Sequence, residues 1–395
     1  MDARLEAQVQ ARTEANREFF ARESERLALL CHGMAERFAR GGRLIATGRS
    51  PTARSDARHV AVEFVHPVIV GKRALPAIGL TAEGGSLAAQ VELLAGPDDI
   101  VIAFGAASDA ASGLRAARAR GCLTIAFTRA GADWEFEPPT GDPYIAQELV
   151  ETLYHVLWEL VHVFFEHRGL LEGRTERRTH DAGASSFLYP FLDERESELE
   201  PVLEDVRRSV LMKADEIGAL REQTLADNRA TLAAAAAALR SCFDRAGKLL
   251  ALGNGGSATD AMDVVADFRM VAAGGPARPA IDLTEDTGIL TAIANDIGVD
   301  AIFSRQVIAY GAAGDVLLAL STSGNSVNVI EALAEARRRG LETIAMVGYD
   351  GGRVSSERLA DHVVITRSEH IPRIQEAQAG AYHCLRELVE LVAPG

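Results

Sequence analysis

The chain has no excess of positive charge: 41 Lys and Arg stand against 56 Asp and Glu, for a formal net charge of −15 over 395 residues. A sequence-independent grip on a nucleic-acid backbone is therefore disfavoured, leaving room only for a local basic pocket around a small phosphate. Long apolar runs are missing too. Stretches such as 100–104 and 316–320 are about five residues long, against the roughly 18 or more that a membrane span requires. The opening MDARLEAQVQARTEANREFF is charged throughout, with apolar residues at helical spacing. It lacks the apolar h-region and small-residue cleavage site of a secretory signal and reads as a helix of a cytoplasmic protein. Cysteine is scarce: Cys31, Cys122, Cys242 and Cys384 lie far apart with no CxxC pair. Neither a disulfide framework nor a thiolate zinc site is suggested, and a reducing compartment fits. What is present, 48% hydrophobic and 25% charged residues, is ordinary globular composition and excludes disordered and fibrous classes. The length suggests two domains.

An internal repeat organises the chain. Arg43-Leu-Ile-Ala-Thr-Gly48 resembles Lys248-Leu-Leu-Ala-Leu-Gly253, each a short apolar run ending in glycine, as a buried parallel strand meeting a turn would be. LPAIGLT (75–81) answers RPAIDLT (278–284), DDIVIAF (98–104) answers GDVLLAL (314–320), and LRAARARGCLTIAFT (114–128) answers LAEARRRGLETIAMV (333–347), in the same order. Strands alternating with helices across short turns imply parallel sheets with helices on both faces, one per repeat. The expected division is 1–170 for the first domain, a polar linker at 171–188 and 189–395 for the second.

Two glycine- and hydroxyl-bearing loops of the second repeat carry chemistry. Gly253-Asn254-Gly255-Gly256-Ser257 follows a strand and precedes a helix beginning near Ala258, so its backbone amides and the helix N-terminus favour an anion. Ser321-Thr322-Ser323-Gly324-Asn325-Ser326 also follows a buried strand and offers four hydroxyls and free amides before a helix starting near Val327. Neither loop has a lysine or a GKS/GKT ending, so no nucleotide cofactor is expected; cradling of a monophosphate, as on a phosphosugar, is the better reading.

These residues resemble the sugar isomerase (SIS) domain family, closest to the phosphoheptose isomerases. The resemblance is carried by GNGGSATDA (253–261), LTEDTGILTAIANDIGVDAIFSRQV (283–307), GDVLLALSTSGNSVNVIEAL (314–333) and RIQEAQAGAYH (373–383). It implies a flavodoxin-like parallel sheet in an α/β, αβα sandwich, a homotetrameric family with active sites formed between subunits, and phosphate held by Ser321, Thr322, Ser323, Asn325 and Ser326. Asn254, Gly255, Gly256 and Ser257 would line the sugar pocket, with Asp286, Asn295 and Asp296 of the central block reaching the sugar.

The family's metal and catalytic positions are a His and a Glu four apart after the first loop, then a Gln and a His eight apart in the last helix. In the second repeat these fall on Asp263, Asp267, Gln375 and His383, so the first pair is changed. Aspartate can ligate zinc or act as a base, but its shorter arm moves the carboxylate by about one C–C bond, and catalysis is sensitive to shifts near 1 Å. The first repeat instead keeps all four types, as His59, Glu63, Gln147 and His155, while its loops GRSPTARSD (48–56) and GAASDAASG (105–113) have lost the hydroxyl cradle. The halves are therefore expected to divide the labour. The second would bind phosphate, and the first would supply the metal or acid/base quartet. One geometric tension stands: eight helical residues rise about 12 Å, far for Gln147 and His155 to share one ion. The helix YHVLWELVHVFFEH, with His155, His162 and His167, reads as an amphipathic core or interface helix whose histidines are partly exposed.

The expectation is a cytoplasmic tandem-SIS phosphosugar isomerase with one zinc per intact site, forming a dimer of tandem chains that mimics the family tetramer. Its reaction would be enediol proton transfer between sedoheptulose 7-phosphate and D-glycero-D-manno-heptose 7-phosphate, with His383, Asp267, His155 and Glu63 as acid/base candidates. The rival readings are a non-catalytic phosphosugar sensor or accessory subunit, motivated by the aspartate replacements, and an architectural role in a larger assembly.

Overall fold

The computed structural model describes residues 2–67, 72–81, 85–166, 199–270 and 276–392. The chain divides into two compact units: an N-terminal unit, Glu14–Glu216, and a C-terminal unit that joins Met1–Thr13 to Ile217–Gly395. Both divisions fall inside long helices, α1 (Asp2–Ala39) and α6 (Leu199–Asp227). The compact units therefore do not coincide with the expected segments 1–170 and 189–395. The start of the N-terminal helix groups with the C-terminal unit, where Gln8 Nε2 donates to Glu387 Oε1 at 2.9 Å. The first part of α6 groups with the N-terminal unit, where Asn16 Nδ2 donates to the Ala214 carbonyl at 2.7 Å. The expected linker at 171–188 lies outside the described residues.

In the N-terminal unit, β1 (Leu44–Thr47), α2 (Pro51–Val65), β2 (Ala77–Leu80), α3 (Leu87–Leu94), β3 (Ile100–Ala103), α4 (Ala107–Ala119), β4 (Leu123–Ala126), β5 (Trp134–Glu135) and α5 (Pro143–Glu166) follow in order. The sheet is wholly parallel, in the order β2-β1-β3-β4-β5. The C-terminal unit repeats the plan: α7 (Arg229–Asp244), β6 (Leu249–Leu252), α8 (Gly256–Arg269), β7 (Ala280–Asp282), α9 (Thr287–Asp296), α10 (Ser304–Tyr310), β8 (Val316–Ser321), α11 (Val327–Arg338), β9 (Glu342–Gly348), α12 (Gly352–Ser356), β10 (His362–Thr366) and α13 (Ile371–Leu391). Its parallel sheet runs β10-β9-β8-β6-β7. Counted from the first strand of each unit, both orders are 2-1-3-4-5, the flavodoxin-like doubly wound arrangement.

The repeat holds to the residue. Leu44 pairs with Ala77 and Ile100, and Leu249 pairs with Ala280 and Val316, the positions that the sequence repeat equates. Strands buried on both faces explain why β1, β3, β6 and β8 read as unbroken apolar runs. The same polar struts recur at their edges. Arg43 Nη2 donates to Asp99 Oδ2 at 2.8 Å and Lys248 Nζ to Asp315 Oδ2 at 2.6 Å. Thr124 Oγ1 donates to Asp133 Oδ2, and Thr343 Oγ1 to Asp361 Oδ2, each at 2.7 Å. Among the described residues, no helix is long and apolar enough to cross a membrane.

Candidate functional site

A doubly wound sheet leaves a crevice where successive connections leave the strands in opposite directions. In the C-terminal unit that point lies between the neighbours β6 and β8, since the chain goes from β6 to β7 on one side and returns to β8 on the other. The two loops singled out in the sequence follow these two strands. Gly253 is required at the first: a Cβ there would lie 2.2 Å from the Ser257 carbonyl oxygen. Gly255 takes φ +58° and α8 begins at Gly256, two residues earlier than expected, so the turn runs directly into the helix N-terminus. In the second loop Ser321 Oγ accepts from Gly324 N at 3.2 Å and Ser323 Oγ from Asn325 N at 3.2 Å, while Asn325 Oδ1 accepts from Arg353 N at 2.9 Å. Ser326 caps α11 by position without a side-chain hydrogen bond, so its hydroxyl is not spent on the helix. The loops are tied together by a residue that sequence reasoning missed. Asn254 and Asn328 exchange two amide hydrogen bonds, each 2.9 Å, and Asn328 lies in the block VNVIEAL without any motif to mark it.

The central block behaves differently. Asp286 caps α9, accepting from Ile289 N at 2.9 Å, and Asn295 donates to Asp296 at 2.7 Å; all three residues are exposed. Asp286 also borders an open cleft of about 420 Å³ lined by Asp282, Glu285, Gln306 and Tyr310 among others.

Behind the first loop, α8 carries Asp263 and Asp267 one turn apart, both buried, and α13 carries buried Gln375 and His383. The structure joins one pair of this expected quartet: His383 Nε2 is 3.3 Å from Asp267 Oδ2. In the N-terminal unit the corresponding set is more tightly gathered. His59 on α2 and His155 on α5 bring their Nε2 atoms within 3.4 Å, and Glu63 Oε1 lies 3.9 Å from His59 Nε2. Tyr154 Oη lies 3.0 Å from His59 Nδ1. Burial, with the adjacent His155 imidazole, holds His59 well below the usual imidazole range. Both influences favour the neutral imidazole, the form that ligates.

Glu151 was not anticipated. It stands at the midpoint between Gln147 and His155, four residues from each on one helix face, and with His59 and His155 forms a group whose ligand atoms all lie within 4.8 Å of one another. The signal was the spacing itself, Gln-x3-Glu-x3-His in QELVETLYH. The expected partial exposure of the helix histidines is corrected: His155 and His162 are buried, the latter with ring nitrogens 2.8 and 2.9 Å from the carbonyl oxygens of Trp158 and Arg73. His167 lies outside the described residues. Two imidazoles and a carboxylate form a donor set that suits a divalent ion such as zinc.

Two doubly wound sheets, each with glycine-bearing turns at its switch point, define a tandem αβα protein of the SIS type. Residues 214–348 match the SIS domain family. The phosphoheptose isomerase of Chlorobium phaeobacteroides is 41% identical over 203 residues, 50% of this chain and 85% of that one. The phosphoheptose isomerase of Citrifermentans bemidjiense is 51% identical over 147 residues, 36% and 74% of the two chains. The chain thus belongs to the SIS-domain family of isomerase enzymes, in the group of the phosphoheptose isomerases. Among solved structures, the C-terminal domain of glucosamine-fructose-6-phosphate aminotransferase from Francisella tularensis is similar over 98% of this chain and 95% of its own, with a TM-score of 0.59 and 12% identity. That likeness is one of fold.

Proposed function

We propose that the protein interconverts sedoheptulose 7-phosphate and D-glycero-D-manno-heptose 7-phosphate, or a closely similar ketose and aldose phosphate. The observation that carries this reading is the coincidence, in one unit, of two braced phosphate-type loops at the switch point with the buried Asp267–His383 pair. The amides and hydroxyls of 253–257 and 321–326 hold the phosphate and so fix the sugar. A base removes the proton alpha to the carbonyl, an enediol forms, and the proton returns to the neighbouring carbon. His383 is assigned to that transfer, with Asp267 orienting the imidazole and offsetting its charge. Asp263, one turn before Asp267 on α8, and Gln375, eight residues before His383 on α13, are the other two members of the quartet. His155 and Glu63 have the residue types for acid/base work, but the loops of their own unit lack the hydroxyls, so they are assigned, with His59, to the surroundings of a metal centre; Gln147, eight residues before His155, stands too far along the helix to share its ion. Zinc bound there would supply a Lewis acid within that unit. The protein is proposed to be cytoplasmic and to assemble as a dimer of tandem chains.

The aspartates at positions 263 and 267, in place of the family's His and Glu, favour one second reading, a phosphosugar sensor or accessory subunit. A conversion assay on sedoheptulose 7-phosphate with wild type, His383→Ala and His155→Ala separates the two. Turnover lost in His383→Ala supports the isomerase, and sugar-phosphate binding without conversion by wild type supports the sensor.

A further inference from the structure

We propose that the N-terminal unit binds one divalent metal ion per chain through His59, Glu151 and His155, with Glu151 a ligand that the family's quartet does not contain. Glu151 and His155 are one turn apart on α5, and both face His59 of α2 with all ligand atoms within 4.8 Å. This resolves the tension in the sequence: Glu151 is within one helical turn of His155, whereas Gln147 is about 12 Å along the axis. The two imidazole Nε2 atoms are 3.4 Å apart, long for a hydrogen bond. It is close to the separation of about 3.3 Å between two nitrogens each 2.0–2.1 Å from a tetrahedral zinc ion. Tyr154 Oη lies 3.0 Å from His59 Nδ1; in the metal-bound form His59 would carry its proton on Nδ1, donate it to that oxygen and turn the Nε2 lone pair to the ion. His59, Glu151 and His155 are 1%, 2% and 0% exposed, and a cation offsets the cost of burying a carboxylate there.

The C-terminal unit cannot build the same group. Asp263 stands for His59 and Ala379 for Glu151, in QEAQAGAYH against QELVETLYH. Among the described residues the N-terminal group is the one cluster of three or more His, Cys, Asp or Glu side chains with this convergence. The ion would tie α2 to α5, so the stability of that unit would depend on it. None of this rests on the isomerase reading, because metal content is measured without substrate.

The test is metal analysis of the full chain after loading with Zn²⁺ and desalting, for wild type, Glu151→Gln and Glu148→Gln. Wild type and Glu148→Gln should retain about one zinc per chain and Glu151→Gln at least tenfold less. Chelation should lower the melting midpoint of wild type and leave that of Glu151→Gln unmoved. Should Glu151→Gln fail to fold, Co²⁺ titration of wild type carries the test, with a visible absorption band saturating at one ion per chain in support. Wild type without stoichiometric metal, two ions per chain, or full retention in a folded Glu151→Gln would each overturn the assignment. So would loss of the ion in Asp267→Asn alone.

Discussion

His383 Nε2 lies 3.3 Å from Asp267 Oδ2, with both side chains buried between α8 and α13 of the C-terminal unit. In the proposed proton transfer a carboxylate at that distance would steady the imidazolium formed on His383, and removing its charge should slow the chemical step more than it weakens binding. Asp267→Asn is expected to lower kcat by about 10²-fold or more, with KM changed only a few-fold. Asp267→Glu, which keeps the charge on a longer arm, should lose less. Steady-state kinetics on sedoheptulose 7-phosphate decides it: an unchanged kcat in Asp267→Asn would remove the pair from the mechanism.

Asp99 sets a stability prediction with a definite sign. Its Oδ1 accepts from Arg43 N at 2.7 Å, and its Oδ2 accepts from Gly96 N and Arg43 Nη2, each at 2.8 Å. Burial alone pushes this carboxyl up, but the Arg43 guanidinium and the two amides outweigh burial and hold it below the usual range. A carboxyl with a depressed folded pKa stabilises the fold above its unfolded value, near 3.9, and that stabilisation is lost as pH falls toward the folded value. Asp99→Asn should cost roughly 1.5–3 kcal/mol at pH 7, and the difference from wild type should shrink in acid. Urea unfolding at pH 7 and at about pH 3 checks this. A difference that persists undiminished at the lower pH would assign the effect to hydrogen bonding instead of charge.

Much of the fold was legible because strand register and apolar pattern are the same constraint. The equated runs at 43–48 and 248–253 became β1 and β6, and the equated residues Ala77 and Ala280 pair with equated partners. Compact unit limits were less legible, since nothing local marks the place within α1 or α6 where packing partners change. Of the site, the loops follow from glycine and hydroxyl content, whereas Glu151 falls on the turn between Gln147 and His155, a position that the family pattern does not mark. Asn328 left no trace for a different reason: an asparagine inside a helix is ordinary, and only the neighbouring strand order brings it against Asn254.

The Asn254–Asn328 pair should matter for binding and not for chemistry. Two reciprocal amide bonds hold the first loop to α11, and losing them frees the loop without touching Asp267 or His383. Asn328→Ala is expected to raise KM about fivefold, the equivalent of roughly 1 kcal/mol, at unchanged kcat. Phosphate inhibition constants should rise in parallel if the loop grips the phosphate. A fall in kcat at constant KM would place the pair in the chemical step instead.

Gly255 and Gly324 both take positive φ, +58° and +62°, yet their surroundings differ. A Cβ on Gly255 meets nothing within 4 Å, whereas on Gly324 it would lie 2.3 Å from the Gly351 carbonyl oxygen. Gly255→Ala therefore carries only the backbone cost of holding φ +58° with ψ −125°, about 1–3 kcal/mol. Gly324→Ala must also push the 321–326 loop away from the 351–353 turn that braces it through Asn325 and Arg353. It should weaken phosphosugar binding by more than tenfold, and by clearly more than Gly255→Ala does. Calorimetric titration of the two variants with sugar phosphate tests the ranking. Equal losses at the two glycines would mean that the brace against Gly351 does not shape the phosphate loop.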